Sequence, residues 1–119
     1  MQPRTLPGFR ARITLVPTAE GGRSLPWLQG CRPDWLLAET LADGLGGAEV
    51  FLEGTAVLDF GQSVDARVLP RVPDFWRPLI VGETLGIYEG PRGVANAVVL
   101  SALEPYERRD DGWVPVANH

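Results

Sequence analysis

Apolar and polar residues alternate along two long segments of the chain. From Phe9 to Leu15 every second residue is apolar, and arginine or threonine occupies the positions between. The same alternation returns from Ser63 to Leu69, where Asp65 and Arg67 separate the apolar residues. A period of two sends alternate side chains to opposite faces, so each segment predicts a half-buried β-strand. The residues predicted to face the core are Phe9, Ala11, Ile13, Leu15, Val64, Ala66 and Val68.

Shorter apolar segments, separated by glycine and proline, predict further strands. A weak helical signal is confined to residues 33–43, and Asp43 to Gly47 is predicted as a glycine-rich turn. Many short strands with frequent turns favour an all-β fold, either a closed barrel or a sandwich. The further predicted strands are 49–52, 79–81, 84–88 and 94–103, and residues 54–59 form an apolar segment that leads into Gly61.

The last residues of the chain follow a different pattern. Arg108 to Gly112 is charged, and its Asp-Gly pair is a hairpin signal. Trp113 to Val116 then predicts a short extra strand. We therefore interpret residues 1–119 as a single β-barrel domain with a C-terminal extension over 104–119, and the sequence leaves the order of that extension open.

The composition of the chain disfavours several classes of function. The 119 residues carry a net charge of −4, and with no lysine present all 11 basic residues are arginine. An acidic balance disfavours nucleic-acid binding, which needs clustered cations. The lone cysteine, Cys31, excludes an internal disulfide and favours a reducing compartment. No stretch approaches the roughly 18 apolar residues of a membrane span, so we expect a cytoplasmic protein without membrane attachment.

Several blocks of the sequence resemble the third domain of the bacterial translation elongation factor Tu. Glu20-Gly21-Gly22-Arg23 with Pro26, followed by Gly30-Cys31-Arg32-Pro33, is similar to the family's E-G-G-R-H-T-P-F-F and G-Y-R-P-Q-F. Three further blocks match in order and approximate spacing, and together the blocks cover about residues 7–101. These blocks are 9–13, 59–64 and 85–99.

The resemblance implies a fold and a set of partners. It implies a closed six-stranded antiparallel β-barrel without catalytic residues. In the family this barrel helps to hold the T stem of aminoacyl-tRNA, contacts the nucleotide exchange factor and packs on the GTPase domain. The chain contains no G-x-x-x-x-G-K-[ST] motif, so nothing in it predicts GTP chemistry.

Four residues keep the family's identity at positions near the tRNA surface: Arg23, Arg32, Gly90 and Arg92. The arginines are candidates for phosphate or partner contacts. The alternative is that Arg23 and Arg32 brace their own loop by pairing with carboxylates such as Glu20 and Asp34. Arg92 lies at a predicted hairpin tip, where neither a binding role nor a structural role is favoured. Ser24, Cys31 and Pro91 depart from the family pattern, and Pro91 lacks a backbone N–H.

Trp27, Trp35 and Trp76 are candidates for an apolar binding surface. In the family the corresponding face meets other domains, so a free-standing barrel must cover it, expose it or use it for self-association. The alternative for each tryptophan is the core, which is the default for aromatic residues. Two of the three lie in predicted loops, which favours a surface role for part of the set.

Enzymatic chemistry has little support in the sequence. His119 is the only histidine and the last residue, and Ser101 lacks a G-x-S-x-G context. Cys31 is open to interpretation as a reactive thiol beside Arg32 or as a buried, inert side chain.

The sequence thus predicts a non-enzymatic binding module without a cofactor, linked to translation or mimicking the factor. Its partner is predicted to be a protein: a GTPase, an exchange factor or a second copy of itself. The alternatives are a tRNA-binding domain and a domain that completes a split elongation factor in trans; a DNA partner is not expected.

Overall fold

Ten β-strands make up the regular structure of the described residues. The computed structural model describes residues 5–16, 27–28, 30–37, 44–59, 61–71, 76–89, 92–109 and 112–116. The strands are β1 Thr5–Leu15, β2 Trp27–Leu28, β3 Asp34–Leu36, β4 Leu45–Leu52, β5 Val57–Leu58, β6 Ser63–Pro70, β7 Thr84–Glu89, β8 Arg92–Val99, β9 Glu104–Arg109 and β10 Gly112–Pro115.

Six of these strands close into a ring. Each pairs with its neighbours in the order β1-β6-β4-β3-β7-β8, and β8 pairs back onto β1 from Ala11↔Val99 to Leu15↔Ala95. Every pair is antiparallel. The predicted all-β fold, a closed six-stranded antiparallel barrel, is therefore confirmed. β2 and β5 form a separate two-stranded sheet.

The period-two pattern of β1 and β6 becomes the lining of the barrel. All four predicted core residues of β1 are 0% exposed, as are Ala66 and Val68 of β6. Val64 is half-buried and packs against the same core. A closed ring gives each strand one inner and one outer face, so alternation along the sequence translates directly into burial.

Strand β4 starts earlier than the sequence pattern predicts. Leu45, Gly46 and Gly47 were expected in a turn but belong to β4, which pairs with β3 through Trp35↔Gly46. A Cβ on Gly46 would lie 2.5 Å from Leu37 Cδ1 and 2.6 Å from Trp76 Nε1. The glycine in this strand therefore makes room for large side chains, and it does not mark a turn.

Three other predicted boundaries are wrong. Asp34–Leu36 is a strand, so the weak helical signal was misleading there. Residues 79–81 form no strand, because the chain turns at Gly82, which has a φ of 93°. The predicted strand 94–103 is β8, which runs from Arg92 to Val99. The chain bends at Ser101, whose Oγ accepts a hydrogen bond from Arg10 N at 2.9 Å and holds the bend against β1.

Outside the ring, β9 and β10 form the hairpin that the Asp-Gly pair predicts. β9 pairs with the first residues of β1, from Thr5↔Glu107 to Gly8↔Glu104. The first part of β1 thus extends beyond the barrel and carries the hairpin. Residues 110–111, at the tip, lie outside the described residues.

Two adjacent glycines of β4 provide a test of this packing. Gly46→Ala should lower the free energy of unfolding by about 1–3 kcal/mol, because its methyl group overlaps Leu37 and Trp76. Gly47→Ala is the matched control, since its Cβ would meet Arg71 Cδ and Asp34 Oδ1 at an ordinary 3.6 Å. Chemical denaturation measures both variants. Equal stabilities for the two would contradict the packing described here.

Candidate interaction surfaces

Two of the three candidate tryptophans lie in the barrel core. Trp35 is 0% exposed and Trp76 is 7% exposed. Both rings contact Phe9, with centroid distances of 5.5 and 5.6 Å, and they lie 6.1 Å from each other. Neither side chain is therefore presented at the barrel surface, and the core alternative holds for both. Trp27 belongs to β2, and its side chain lies outside what the structure describes.

Two of the four family-matched residues are brought to the same end of the barrel. Arg32 precedes β3, which pairs with β7 through Asp34↔Tyr88, and Arg92 begins β8, which pairs with β7 through Glu89↔Arg92. Both side chains are at the surface. Arg32 Nη2 lies 3.8 Å from Glu49 Oε2, so a carboxylate partly offsets its charge. Arg23 and Gly90 lie outside the described residues.

An ion-pair network covers the outer face of β1, β4 and β6, and sequence reasoning missed it. Arg10 of β1 stands directly opposite Arg67 of β6, a pairing that like charges disfavour. Glu53, just after β4, resolves the conflict. It accepts Arg10 Nη2 at 2.7 Å, Arg10 Nε at 3.3 Å and Arg67 Nε at 3.1 Å. We call Arg10, Glu53 and Arg67 the Glu53 cluster.

The electrostatics of the cluster follow from these bonds. Hydrogen bonding from Arg10, followed by the charges of Arg10 and Arg67, holds the pKa of Glu53 below its ordinary value despite partial burial. The same bond raises the pKa of Arg10. Alongside, Arg12 Nε donates to Asp65 Oδ1 at 2.9 Å. On this face, three arginines meet two carboxylates, and each arginine has an acidic partner.

The β9–β10 hairpin folds back over the same face. Arg67 Nη1 donates to the backbone oxygen of Trp113 at 2.7 Å, although three strand spacings separate β6 from β10 in the sheet order. Tyr106 is fully buried beneath this fold and packs on Gly8, whose Cβ would lie 2.7 Å from Tyr106 Cδ1. Burial raises the pKa of Tyr106 to about 12. The hairpin therefore buries Tyr106 against β1, outside the barrel core.

A rigid turn carries the two most exposed large apolar side chains of the described residues. Ile80 is 71% exposed and Val81 is 60% exposed. Glu83 N donates to Ile80 O at 3.1 Å, and Gly82 supplies the left-handed φ that a type II turn needs at its third position. We call residues 80–83 the apolar turn. Sequence reasoning assigned 79–81 to a strand and placed Gly82 as the break before the next strand, so it found the glycine but not the turn that begins at Ile80.

The apolar turn is fastened to the barrel by an ion pair. Arg77 donates to Glu83 at 2.6 and 3.1 Å, and its Nε donates to Leu37 O at 2.8 Å. Glu83 also accepts Ile80 N at 2.6 Å. Hydrogen bonding from Arg77 lowers the pKa of Glu83. Gly82 N donates to Val99 O at 2.8 Å, which ties the turn to β8.

No group of three histidine, cysteine or acidic residues within the described part of the chain is placed to hold a metal ion. A cavity of about 470 Å³ opens beside the start of β6, but both oxygens of its one carboxylate, Glu53, are engaged by arginine. Cys31 is half-buried and packs against the core. No helix within the described ranges has the length and apolar character needed to cross a membrane.

No protein-family model matches the chain, and no curated protein matches its sequence.

Glu53 provides a pH-dependent test of the cluster. Its pKa is lowered on folding, so its contribution to stability is present above the unfolded value of about 4.3 and is lost as pH falls through the folded value. Glu53→Gln should therefore flatten the loss of stability below about pH 4.3 and lower stability at about pH 7. Urea denaturation across this range measures both effects. Glu49→Gln is the control, because Glu49 meets a single arginine at 3.8 Å. An unchanged pH profile for Glu53→Gln would contradict the assignment.

Proposed function

We propose that this chain is a non-enzymatic protein-binding module, linked to translation or mimicking elongation factor Tu. The observation that carries the proposal is the neutralised outer wall of the barrel. Arg10, Arg12 and Arg67 are each paired with Glu53 or Asp65. A nucleic-acid surface needs cations that remain available to phosphates, and the whole chain carries a net charge of −4.

The apolar turn supports a protein partner. Its ion pair and backbone bonds hold Ile80 and Val81 in water at 71% and 60% exposure. Holding apolar side chains rigidly in solvent reduces the entropy lost on binding, and their burial against a partner is favourable. The link to translation rests on the sequence blocks that resemble the third domain of elongation factor Tu.

A pull-down with matched variants tests the proposal. The tagged chain, the double variant Ile80→Asp/Val81→Asp and the control Val57→Asp are incubated with lysate of the source organism, with and without RNase. Val57 is a suitable control because it is also apolar and is 41% exposed. We expect a defined protein to be retained by the wild type and by Val57→Asp after RNase treatment, and to be lost by the double variant. Recovery of tRNA, with all proteins released by RNase, would contradict the proposal.

A second candidate function is tRNA binding, which the placement of Arg32 and Arg92 at one barrel end favours. Fluorescence anisotropy with labelled tRNA at increasing salt separates the two functions. Under the second function, affinity falls steeply with salt and is lost in Arg32→Glu/Arg92→Glu but kept in Arg109→Glu, which changes an arginine paired with Glu107 on the hairpin. Under the first, we expect no saturable binding of tRNA even at low salt.

A further inference from the structure

Strand β10 has one open edge among the described residues. It is the end strand of the eight-stranded order and pairs there with β9 alone. An unpaired edge is a template for another strand, so proteins usually block it. How β10 is blocked follows from its hydrogen-bonding register.

The register fixes which backbone groups face the open edge. Val116 N donates to Pro105 O at 2.9 Å, and in an antiparallel pair hydrogen-bonded positions alternate. Gly112, Val114 and Val116 therefore point their backbone groups toward β9. Trp113 and Pro115 point theirs outward. Trp113 is thus the one residue of β10 that presents both a donor and an acceptor at the open edge, because Pro115 has no N–H.

Arg67 donates a hydrogen bond to the outward backbone oxygen of Trp113. Its Nη1 donates to Trp113 O at 2.7 Å, while its Nε is held by Glu53 at 3.1 Å. The guanidinium is planar and rigid, so anchoring one nitrogen on Glu53 directs the other at the strand. The guanidinium therefore lies 2.7 Å from Trp113 O, where an added strand would bring its own N–H, and Pro115 beside it has no donor to offer.

We propose that the open edge of β10 is a latent self-association surface that Arg67 holds closed. The occupant is a second copy of this chain. Two β10 strands related by a twofold axis place Trp113 opposite its own copy, so the same two backbone groups satisfy each other. The pairing needs the space beside both Trp113 oxygens, and the Arg67 guanidinium, held by Glu53, occupies that space.

Self-association of Arg67→Met tests the proposal. Sedimentation velocity over a concentration series should show at least ~10-fold tighter self-association than wild type, which is the size expected for two backbone hydrogen bonds. Hydrogen exchange should show the Trp113 amide protected in Arg67→Met and not in the wild type. Arg12→Met is the matched control, because Arg12 lies on the same face and pairs with Asp65. It should behave like the wild type.

Changes at Trp113 identify the interface. Arg67→Met/Trp113→Pro removes the outward donor and should return the protein to wild-type behaviour, whereas Arg67→Met/Trp113→Ala keeps the donor and should still self-associate. Unchanged self-association of a folded Arg67→Met overturns the proposal, as does a dimer that survives Trp113→Pro. Arg67→Gln is the second variant if Arg67→Met does not fold. Failure of both to fold would also overturn it, since Arg67 would then be needed for folding itself.

Discussion

The pairing of β1 on both of its edges is the constraint on which the structure depends. β6 occupies one edge from Phe9 to Thr14, and β8 occupies the other from Ala11 to Leu15. This double pairing turns an open sheet into a ring, which removes the free edges that an open sheet would expose. It also gives the four inward residues of β1 their complete burial. The first part of β1 then continues past the ring and supports the hairpin.

Closure of the ring places two arginines opposite each other on the outer face, where their like charges repel. The register of β1 and β6 sets Arg10 against Arg67, and a shift by one residue would turn every apolar side chain outward. The register is therefore fixed by the core, and the like-charged pair must be tolerated. Glu53 accepts hydrogen bonds from both guanidinium groups and offsets their repulsion. The same bonds orient Arg67 toward the hairpin, so one arginine, held by Glu53, joins the barrel wall to the hairpin.

The sequence predicted those strands in which apolar and polar residues alternate. β1, β6 and the hairpin strands are legible because one face of each differs in polarity from the other, or because Asp-Gly marks the turn. The sequence pattern did not predict β3 or the start of β4. Gly46 looked like a turn residue, but it lies in a strand, where its missing side chain leaves space for Trp76. The candidate surfaces were harder still. Trp35 and Trp76 looked available in the sequence, but closure of the ring brings both against Phe9.

The charge network and the apolar turn depend on contacts between residues far apart in the chain, such as Arg10 with Glu53 and Arg77 with Leu37. Single-sequence reasoning has no access to such distances. Arginine and acidic residues at alternate positions of β1 and β6 indicated an exposed face, but their pairing required the register. The sequence blocks made Arg32 and Arg92 candidates for partner contacts, and the register adds that both lie at one barrel end.

The order of the strands has a consequence for synthesis. β1 is the first of the described strands to be synthesised, yet its two partners in the ring, β6 and β8, end at Pro70 and Val99. The nascent chain therefore carries the alternate apolar residues of β1 without their ring partners until these later strands have left the ribosome. Such distant pairing slows folding and exposes the growing chain to mispairing and to chaperones. The interval between translation of β1 and of β8 is thus the period in which the apolar face of β1 lacks its ring partners.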